Sequence, residues 1–238
     1  MRVEIESRPQ AWAALYERLT DSESKQLFLN IVNFRLTADL KYMTGQTVRI
    51  DEQYFEPFMN YSEEIFVDAG GFDGDTSEVF ANRYGNYKKI LFFEPSEDNL
   101  RKARERLKTM ERIEYHNVGL SDCHEMVGFD PGLGSASKIN DSSVTKIELV
   151  KLDERVEERV TFIKMDLEGW ETKAIAGCKK HIEYDKPKLA IAVYHSAKDF
   201  IDVPQQILGF NNNYSIYLRH YTEGWSETIM YFLPDLNA

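Results

Sequence analysis

From residue 61 onward, segments typical of strands and of helices alternate along the chain, and this alternation limits the possible folds more than any other feature. Apolar runs rich in valine, isoleucine and phenylalanine predict the strands, and charged segments with helical periodicity follow the first of them. Ser96 and Asp98 are candidate caps at the start of the charged helix SEDNLRKARERLKTM. In order, the predicted strands are EIFVDAG, KKILFFEP, IEYHNVGL, VTFIKMDLEG, PKLAIAVYH, YSIYLRHY and ETIMYFLP. The pattern predicts an α/β fold with a doubly wound, mostly parallel sheet whose last strand is antiparallel. The last two strands are close enough in the sequence to pair as an antiparallel hairpin.

Two segments fall outside this alternation. Residues 1–60 are predicted to form a helical N-terminal extension, because AWAALYERL and KQLFLNIVNFRL have the spacing of amphipathic helices. Residues 61–238 are then the α/β domain. Between its third and fourth strands, around residues 125–150, the sequence predicts a β-rich insertion that includes the Gly/Ser segment PGLGSASK and the alternating VTKIELVKL.

Charge and cysteine content narrow the possible partners. The net charge of −11 disfavours a nucleic-acid backbone or an anionic membrane surface. The N-terminal MRVEIESRPQ has no apolar core of a secretory signal, and no stretch approaches the length of a membrane span. Cys123 and Cys178 have neither metal-binding spacing nor the pattern of a disulfide framework. We therefore expect a cytoplasmic protein with no nucleic-acid partner and no membrane span.

Charged and polar residues stand at the predicted carboxyl ends of the strands. In an open α/β sheet, ligands collect at this edge. Acids at three of the ends make it the expected ligand site, although Glu168 and Arg219 are each also compatible with a helix cap or a salt bridge. The residues at the strand ends are Asp68, Glu94, Asn117, Asp166, Glu168, His195, Arg219 and His220.

The glycine-rich turn after the first strand, FVDAGGFDGDT, argues against a cofactor that contains phosphate. Its glycines do not form G-x-G-x-x-G, and no G-K-[ST] follows. Like charges repel by about 4 kcal/mol at about 4 Å and an effective dielectric of about 20, so its three aspartates would repel a pyrophosphate. S-adenosylmethionine has no phosphate and carries a sulfonium and an ammonium group, which carboxylates attract. Gly70 and Gly71 would allow close approach of the backbone, and Glu94 would accept bonds from both ribose hydroxyls.

Six segments together resemble the FkbM-type S-adenosylmethionine-dependent methyltransferases: VDAGGFDGDT, FFEPSEDNL, NVGLSD, FIKMDLEGWE, PKLAIAVYH and YLRHYTEGWSETIMYFLP. The similarity covers roughly residues 50–234, and the ordered set is far more specific than D-x-G-G alone. It implies a Rossmann-like class I methyltransferase that acts on hydroxyls of sugars, glycans or small natural products. The cofactor-binding residues that it implies are Asp68, Gly70 and Gly71 for the methionine part, Glu94 for the ribose, Asn117, Val118 and Gly119 for the adenine, and Pro95 and Ser96 beside the adenosine.

A hydroxyl acceptor requires a base, because a sugar hydroxyl is a weak nucleophile until it loses its proton. His195 follows the fifth predicted strand, and Asp166 and Glu168 end the fourth. We predict that His195 is the base, that a neighbouring acid orients its ring, and that Asp166 also binds the cofactor. His220, at the end of the sixth strand, is the rival base.

Two further features do not decide the chemistry. Asp166, Glu168 and a histidine are suitable ligands for a divalent cation, but their spacing is not diagnostic, and no metal is predicted. Trp170 and Trp225 are candidates for covering the active site, although most aromatic residues are expected in the core.

The predicted function is O-methylation of a hydroxyl on a sugar, a glycan precursor or a related small molecule. One alternative is N- or carboxyl-methylation of a small metabolite, for which His195 would be dispensable, because an amine loses its proton more readily. Another is a noncatalytic module that binds the cofactor without turnover.

Overall fold

The structure, a computed structural model, describes residues 1–130, 138–139 and 143–235. The helices are α1 Arg2–Ser7, α2 Pro9–Arg18, α3 Ser22–Thr37, α4 Asp75–Arg83, α5 Glu97–Arg106, α6 Leu152–Arg155, α7 Glu171–Ala176 and α8 Asp199–Phe210. The strands are β1 Ile65–Ala69, β2 Lys89–Phe93, β3 Ile113–His116, β4 Gly119–Leu120, β5 Glu125–Asp130, β6 Lys138–Ile139, β7 Lys146–Val150, β8 Phe162–Met165, β9 Lys188–Ala192, β10 Tyr214–His220 and β11 Thr228–Pro234. None of the described helices has the length and apolar composition needed to cross a membrane.

The chain divides into two compact units, residues 60–187 and residues 1–59 together with 188–238. The sequence-based division, 1–60 and 61–238, placed residues 188–238 in the α/β domain, whereas here they belong to the same unit as the N-terminal residues. The reason is that the N-terminal helices pack on the C-terminal strands and helix. As a statement about domains, the sequence-based division stays a prediction.

The unit of residues 60–187 contains a parallel sheet in the order β8-β1-β2-β3. Its central strands are buried on both faces, which explains their near-continuous apolar sequences. Because the strands run in the same direction, the residues that follow β1, β2, β3 and β8 emerge at one edge. The predicted α/β class is confirmed here.

The helix after β2 begins as the sequence predicted. The Ser96 hydroxyl accepts a hydrogen bond from the Asn99 N–H at 3.4 Å and caps α5. Asp98, the other predicted cap, instead accepts a bond from Arg101 on the exposed surface at 3.3 Å.

The prediction of one continuous third strand, IEYHNVGL, is wrong. The chain leaves the parallel sheet after β3 and enters a second sheet as β4, whose order is β4-β7-β5-β6. Asn117 lies at the break, where its side-chain amide donates to the carbonyl oxygens of Glu94 and Pro95, both at 3.0 Å. The second sheet confirms the β-rich insertion. Except for its final Lys138, the segment PGLGSASK lies outside the described residues.

In the other unit, the predicted amphipathic helices α2 and α3 and the hairpin of β10 and β11 are all present. β11 also pairs with β9 in antiparallel fashion. The Thr20 N–H donates to the Ile216 carbonyl at 2.8 Å, and the Trp12 ring stacks on Phe200 of α8 at 5.8 Å. These contacts join the first and last parts of the chain into one core.

Candidate active site

A cavity of about 290 Å³ opens at the carboxyl edge of the parallel strands, within residues 60–187. Residues after β1, β2, β3 and β8 form one side of it, and strands of the insertion form the other. Of the residues predicted from the sequence, those that line the cavity are Gly70, Glu94, Pro95, Val118, Gly119, Asp166 and Glu168. The other lining residues are Phe72, Phe93, Asn99, Leu120, Phe129, Ile147, Leu149, Leu167 and Trp170.

Glu94 presents a fixed carboxylate at this cavity. The residue is 5% exposed, and its two carboxylate oxygens accept hydrogen bonds from the N–H groups of Ser96 at 2.8 Å and Phe72 at 3.0 Å. Burial raises the pKa of Glu94 to about 7, although these two N–H groups favour the charged form. The side chain is therefore preorganised, and it changes charge near neutral pH.

This pKa predicts a pH-dependent affinity for the cofactor. Ribose hydroxyls that donate to the carboxylate favour its ionised form, so binding lowers the pKa of Glu94. The affinity should then fall by up to about tenfold per pH unit below about pH 7 and level off above it. Calorimetry with 5′-methylthioadenosine tests this, because that ligand keeps the ribose and lacks the titrating amino group. Glu94→Gln should remove the dependence, and a constant wild-type affinity between about pH 5.5 and 8.5 would contradict it.

The glycine turn does not form a phosphate cradle. The N–H groups of Gly70 and Gly71 both donate to the Phe93 carbonyl, at 3.0 and 3.1 Å, and the Phe72 N–H donates to Glu94. These donors are therefore occupied within the protein, in agreement with the rejection of pyrophosphate.

The glycines at positions 70 and 71 are required by neighbouring protein atoms. Gly70 has a left-handed φ of +72°, and a Cβ atom there would lie 2.1 Å from the carbonyl oxygen of Asp166. A Cβ atom at Gly71 would lie 2.3 Å from the ring of Phe92. Both glycines therefore let the backbone lie close to neighbouring parts of the protein. Only Gly70 also lines the cavity, so only there does the missing side chain leave room for a ligand.

The three aspartates of the turn have partners within the protein. Asp68 is fully buried; it lies 3.1 Å from the Lys164 ammonium and accepts the Ser77 hydroxyl at 2.6 Å. Asp73 pairs with Arg106 at 2.7 Å. Asp75 accepts the N–H of the next residue at 2.6 Å. None of the three lines the cavity, so the negative charge that faces it comes from the acids Glu94, Asp166 and Glu168.

Ser96 and Asn117 also lie behind the cavity wall. The Ser96 N–H bonds Glu94, and the Asn117 amide bonds the carbonyls of Glu94 and Pro95. Both residues shape the loop that carries Glu94. The direct ligand contacts that the family resemblance implied for them stay predictions.

The insertion contributes an apolar wall to the cavity, which was not predicted from the sequence. Trp170 packs against the cluster of Val127, Phe129, Ile147 and Leu149, and its indole N–H lies 3.3 Å from the Ser121 hydroxyl. The alternation in VTKIELV was the available signal, because it places Ile147 and Leu149 on one face of β7.

Glu168 reaches the cavity through an uncommon backbone conformation. Its φ is +54°, and Gly169 follows with a φ of +92°. The turn is held by Glu171, whose carboxylate accepts the Leu167 N–H at 2.7 Å. Left-handed conformations of residues other than glycine cost free energy and cluster at functional sites. Glu168 does not occupy the N-cap position of α7, which is Trp170, and its role in catalysis stays a prediction.

The strand-end residues of the other unit differ in their surroundings. His195 is half-buried, and its ring centroid lies 4.1 Å from that of Tyr194. His220 is 3% exposed, and its Nδ1 lies 2.9 Å from the Thr228 hydroxyl. Burial, together with the charge of Arg35, lowers the pKa of His220 to about 4.

Arg219 is a salt-bridge partner, which is one of the alternatives that its position allowed. Its guanidinium pairs with Asp21 at 2.7 Å and donates to the Ser24 hydroxyl at 2.9 Å. The roles of His195 and His220 in catalysis, and the pairing of His195 with an acid of β8, stay predictions.

Comparisons with known proteins agree with this fold. The family model of the methyltransferase FkbM domain matches residues 68–216. A crystal structure of methyltransferase FkbM from Methylobacillus flagellatus KT is 28% identical in sequence, with a TM-score of 0.84 over 97% of this chain and 60% of that chain. Fibrillarin from Aeropyrum pernix, solved with natively bound S-adenosyl-L-methionine, is 11% identical, with a TM-score of 0.50 over 77% of this chain and 71% of that chain. At that identity the likeness shows the fold alone. The comparison with curated proteins found no match.

The parallel sheet with an acidic cavity at its carboxyl edge has the Rossmann-like architecture of the S-adenosylmethionine-dependent methyltransferases. Since the family model covers more than half of the residues, the chain belongs to the FkbM methyltransferase family. The resemblance inferred from the sequence is confirmed. The chain spans 60% of the length of the Methylobacillus flagellatus protein.

Proposed function

We propose that the protein transfers the methyl group of S-adenosylmethionine to a hydroxyl of a sugar, a glycan precursor or a related small molecule. The observation that carries the cofactor part is the buried Glu94 carboxylate, held at the cavity by two backbone N–H groups. The hydroxyl part rests on His195, which follows β9 and is a suitable base, and on the family resemblance.

In this proposal each side of the cavity has its own task. Glu94 accepts hydrogen bonds from the two ribose hydroxyls. Val118 and Gly119 contact the adenine, and the apolar wall of Phe129 and Leu149 keeps water from it. Gly70 lies beside the methionine part. None of the described residues that line the cavity is cationic. The acids of the lining therefore favour a positively charged ligand.

The proposed transfer is an in-line displacement. When bound, S-adenosylmethionine supplies an electrophilic methyl group, and its sulfur takes the electron pair of the bond that breaks. His195 accepts the hydroxyl proton of the acceptor at a ring nitrogen as the new carbon–oxygen bond forms. Asp166 and Glu168 supply negative charge at the cavity. Holding the acceptor oxygen about 3 Å from the methyl carbon provides much of the rate enhancement.

Glu94→Ala tests the cofactor site. We expect it to weaken binding of S-adenosylhomocysteine by about 1.5–3 kcal/mol, the range for hydrogen bonds to a charged group. Calorimetry measures the affinity, and a melting curve checks the fold, since the N–H groups of Phe72 and Ser96 lose their acceptors. Glu97→Ala is the matched control, because this acid is exposed on the first turn of α5. Equal affinity in wild type and Glu94→Ala would remove Glu94 from the ribose role.

An acceptor screen tests the hydroxyl part. Nucleotide sugars, glycan precursors and matched amines are incubated with the protein, and release of S-adenosylhomocysteine is measured. Product mass and NMR spectra then locate the methyl group. Methylation of amines or carboxylates alone would replace the proposal by the corresponding alternative. Cofactor binding without turnover on any acceptor would favour a noncatalytic module.

A further inference from the structure

Lys164 is a buried charged residue that the mechanism does not yet use. It lies in β8, whose residues are all buried, and it is 3% exposed. Its ammonium group donates to the Gly70 carbonyl at 2.8 Å and the Ala69 carbonyl at 3.4 Å, and it pairs with Asp68 at 3.1 Å. Burial alone would lower the pKa of Lys164, but the charges of Asp68 and Asp166 raise it above its ordinary value. The ammonium group is therefore charged, and it contacts Asp68 and the two carbonyl oxygens.

Strand register explains why Lys164 reaches Asp68. The two residues lie directly opposite each other on the paired parallel strands β8 and β1. Asp68 has a second bond from the Ser77 hydroxyl of α4 at 2.6 Å. Lys164 thus joins β8, β1 and, through Asp68, the helix that follows the glycine turn.

Gly70 is where this network meets the cavity. Its N–H is held by the Phe93 carbonyl at 3.0 Å, and its carbonyl is held by Lys164. A glycine pair rotates more freely than other residues, so the 70–71 peptide needs such contacts to keep one orientation. Lys164 itself does not line the cavity and acts on a ligand only through Gly70.

We propose that Lys164 is a positioning residue for the cofactor. By holding the carbonyl groups of Ala69 and Gly70, it keeps the glycine turn in the form that receives the methionine part of S-adenosylmethionine. Asp68 is the counter-ion of Lys164 and does not touch the cofactor. This inference rests on the proposed function, which places the cofactor in the cavity beside Gly70.

Three variants separate positioning from neutralisation of charge. Lys164→Met removes the ammonium group and leaves Asp68 buried without its cation. Asp68→Asn keeps the lysine and the shape of its partner. The double variant has neither charge, so it is expected to regain the thermal stability that Lys164→Met loses. If Lys164→Met does not fold, the double variant carries the test.

We expect the variants to differ in which quantity they change, the thermal stability or the affinity for the cofactor product. Lys164→Met and the double variant should both raise the Kd of S-adenosylhomocysteine by about tenfold or more, as for the loss of a charge-assisted hydrogen bond. Asp68→Asn should lower the melting temperature but change the Kd by about threefold or less. Recovery of the wild-type Kd in the double variant would overturn the proposal. An equally large rise of the Kd in Asp68→Asn would do the same, because Asp68 would then act on the cofactor itself.

Hydrogen exchange in the cofactor-free protein distinguishes failure of this inference from failure of the proposed site. The amides of residues 70–74 should exchange faster in Lys164→Met and in the double variant than in wild type or Asp68→Asn. Unchanged exchange would overturn the role of Lys164, whatever Glu94→Ala does. Unchanged affinity in Glu94→Ala with accelerated exchange would instead contradict the cavity as the cofactor site and retain the ordering of the turn by Lys164.

Discussion

His195→Ala is expected to lower kcat by about 10²–10⁴, the usual contribution of a general base, with little change in cofactor affinity. The residue lies three positions after the end of β9, beyond Val193 and Tyr194, and it is half-buried. Without the imidazole, a hydroxyl acceptor would have to lose its proton to water. Release of S-adenosylhomocysteine at saturating cofactor and acceptor measures the effect. Over the same conditions, wild-type kcat should rise with pH and then level off, because only the neutral ring accepts a proton.

His220→Ala is the matched control for this experiment. Its ring is buried and bonded to Thr228, and burial lowers its pKa to about 4, so it is a weak base. We expect a lower melting temperature and a kcat within about tenfold of wild type. Loss of turnover in His220→Ala with normal turnover in His195→Ala would exchange the two roles. Normal turnover in both would indicate an amine or an already ionised oxygen as acceptor.

Gly70→Ala is expected to destabilise the protein by about 3 kcal/mol or more, since it combines a left-handed backbone with a severe overlap. The new Cβ atom would lie 2.1 Å from the Asp166 carbonyl oxygen, which is part of the backbone and cannot rotate away. The overlap pushes apart β1 and the segment that carries Asp166 and Glu168. Urea denaturation measures the free energy of unfolding, and calorimetry with S-adenosylhomocysteine should show weaker binding in whatever protein folds.

Gly209→Ala provides the comparison for this variant. Gly209 lies in α8, and a Cβ atom there meets nothing within 4 Å. Since alanine favours a helix more than glycine does, we expect a gain of about 0.5–1 kcal/mol. A Gly70→Ala variant as stable as Gly209→Ala would show that the turn can move aside, and it would contradict the rigid contact with Asp166.

Much of the fold was predictable because the signals are local. The period-2 and period-3.6 patterns located the main strands and helices, and the Ser96 cap and the hairpin of YSIYLRHY and ETIMYFLP followed from neighbouring residues. The acids at the predicted strand ends also indicated the edge of the sheet at which the cavity opens, because the carboxyl ends of parallel strands lie on the same side. Glu94 and Asp166 line that cavity.

The break between β3 and β4 was not predictable in the same way. Asn117 and Gly119 in IEYHNVGL are residue types that are depleted in strands, but such a residue alone does not locate the end of a strand. The chain turns where the Asn117 amide bonds the carbonyls of Glu94 and Pro95, more than twenty residues earlier in the sequence. A hydrogen bond between distant segments decides the conformation there, so only the folded chain contains the signal.

The sequence by itself determined the class of fold, the edge of the sheet where the cavity lies, and the protein family. Only the tertiary structure decided which acids face the cavity. Asp68 has the position of a ligand-binding acid, but the pairing of β1 with β8 places Lys164 opposite it and buries both. Both strands are buried nearly throughout, so they lack the alternation of apolar and polar residues that would specify their register, and the packing of the whole sheet sets it.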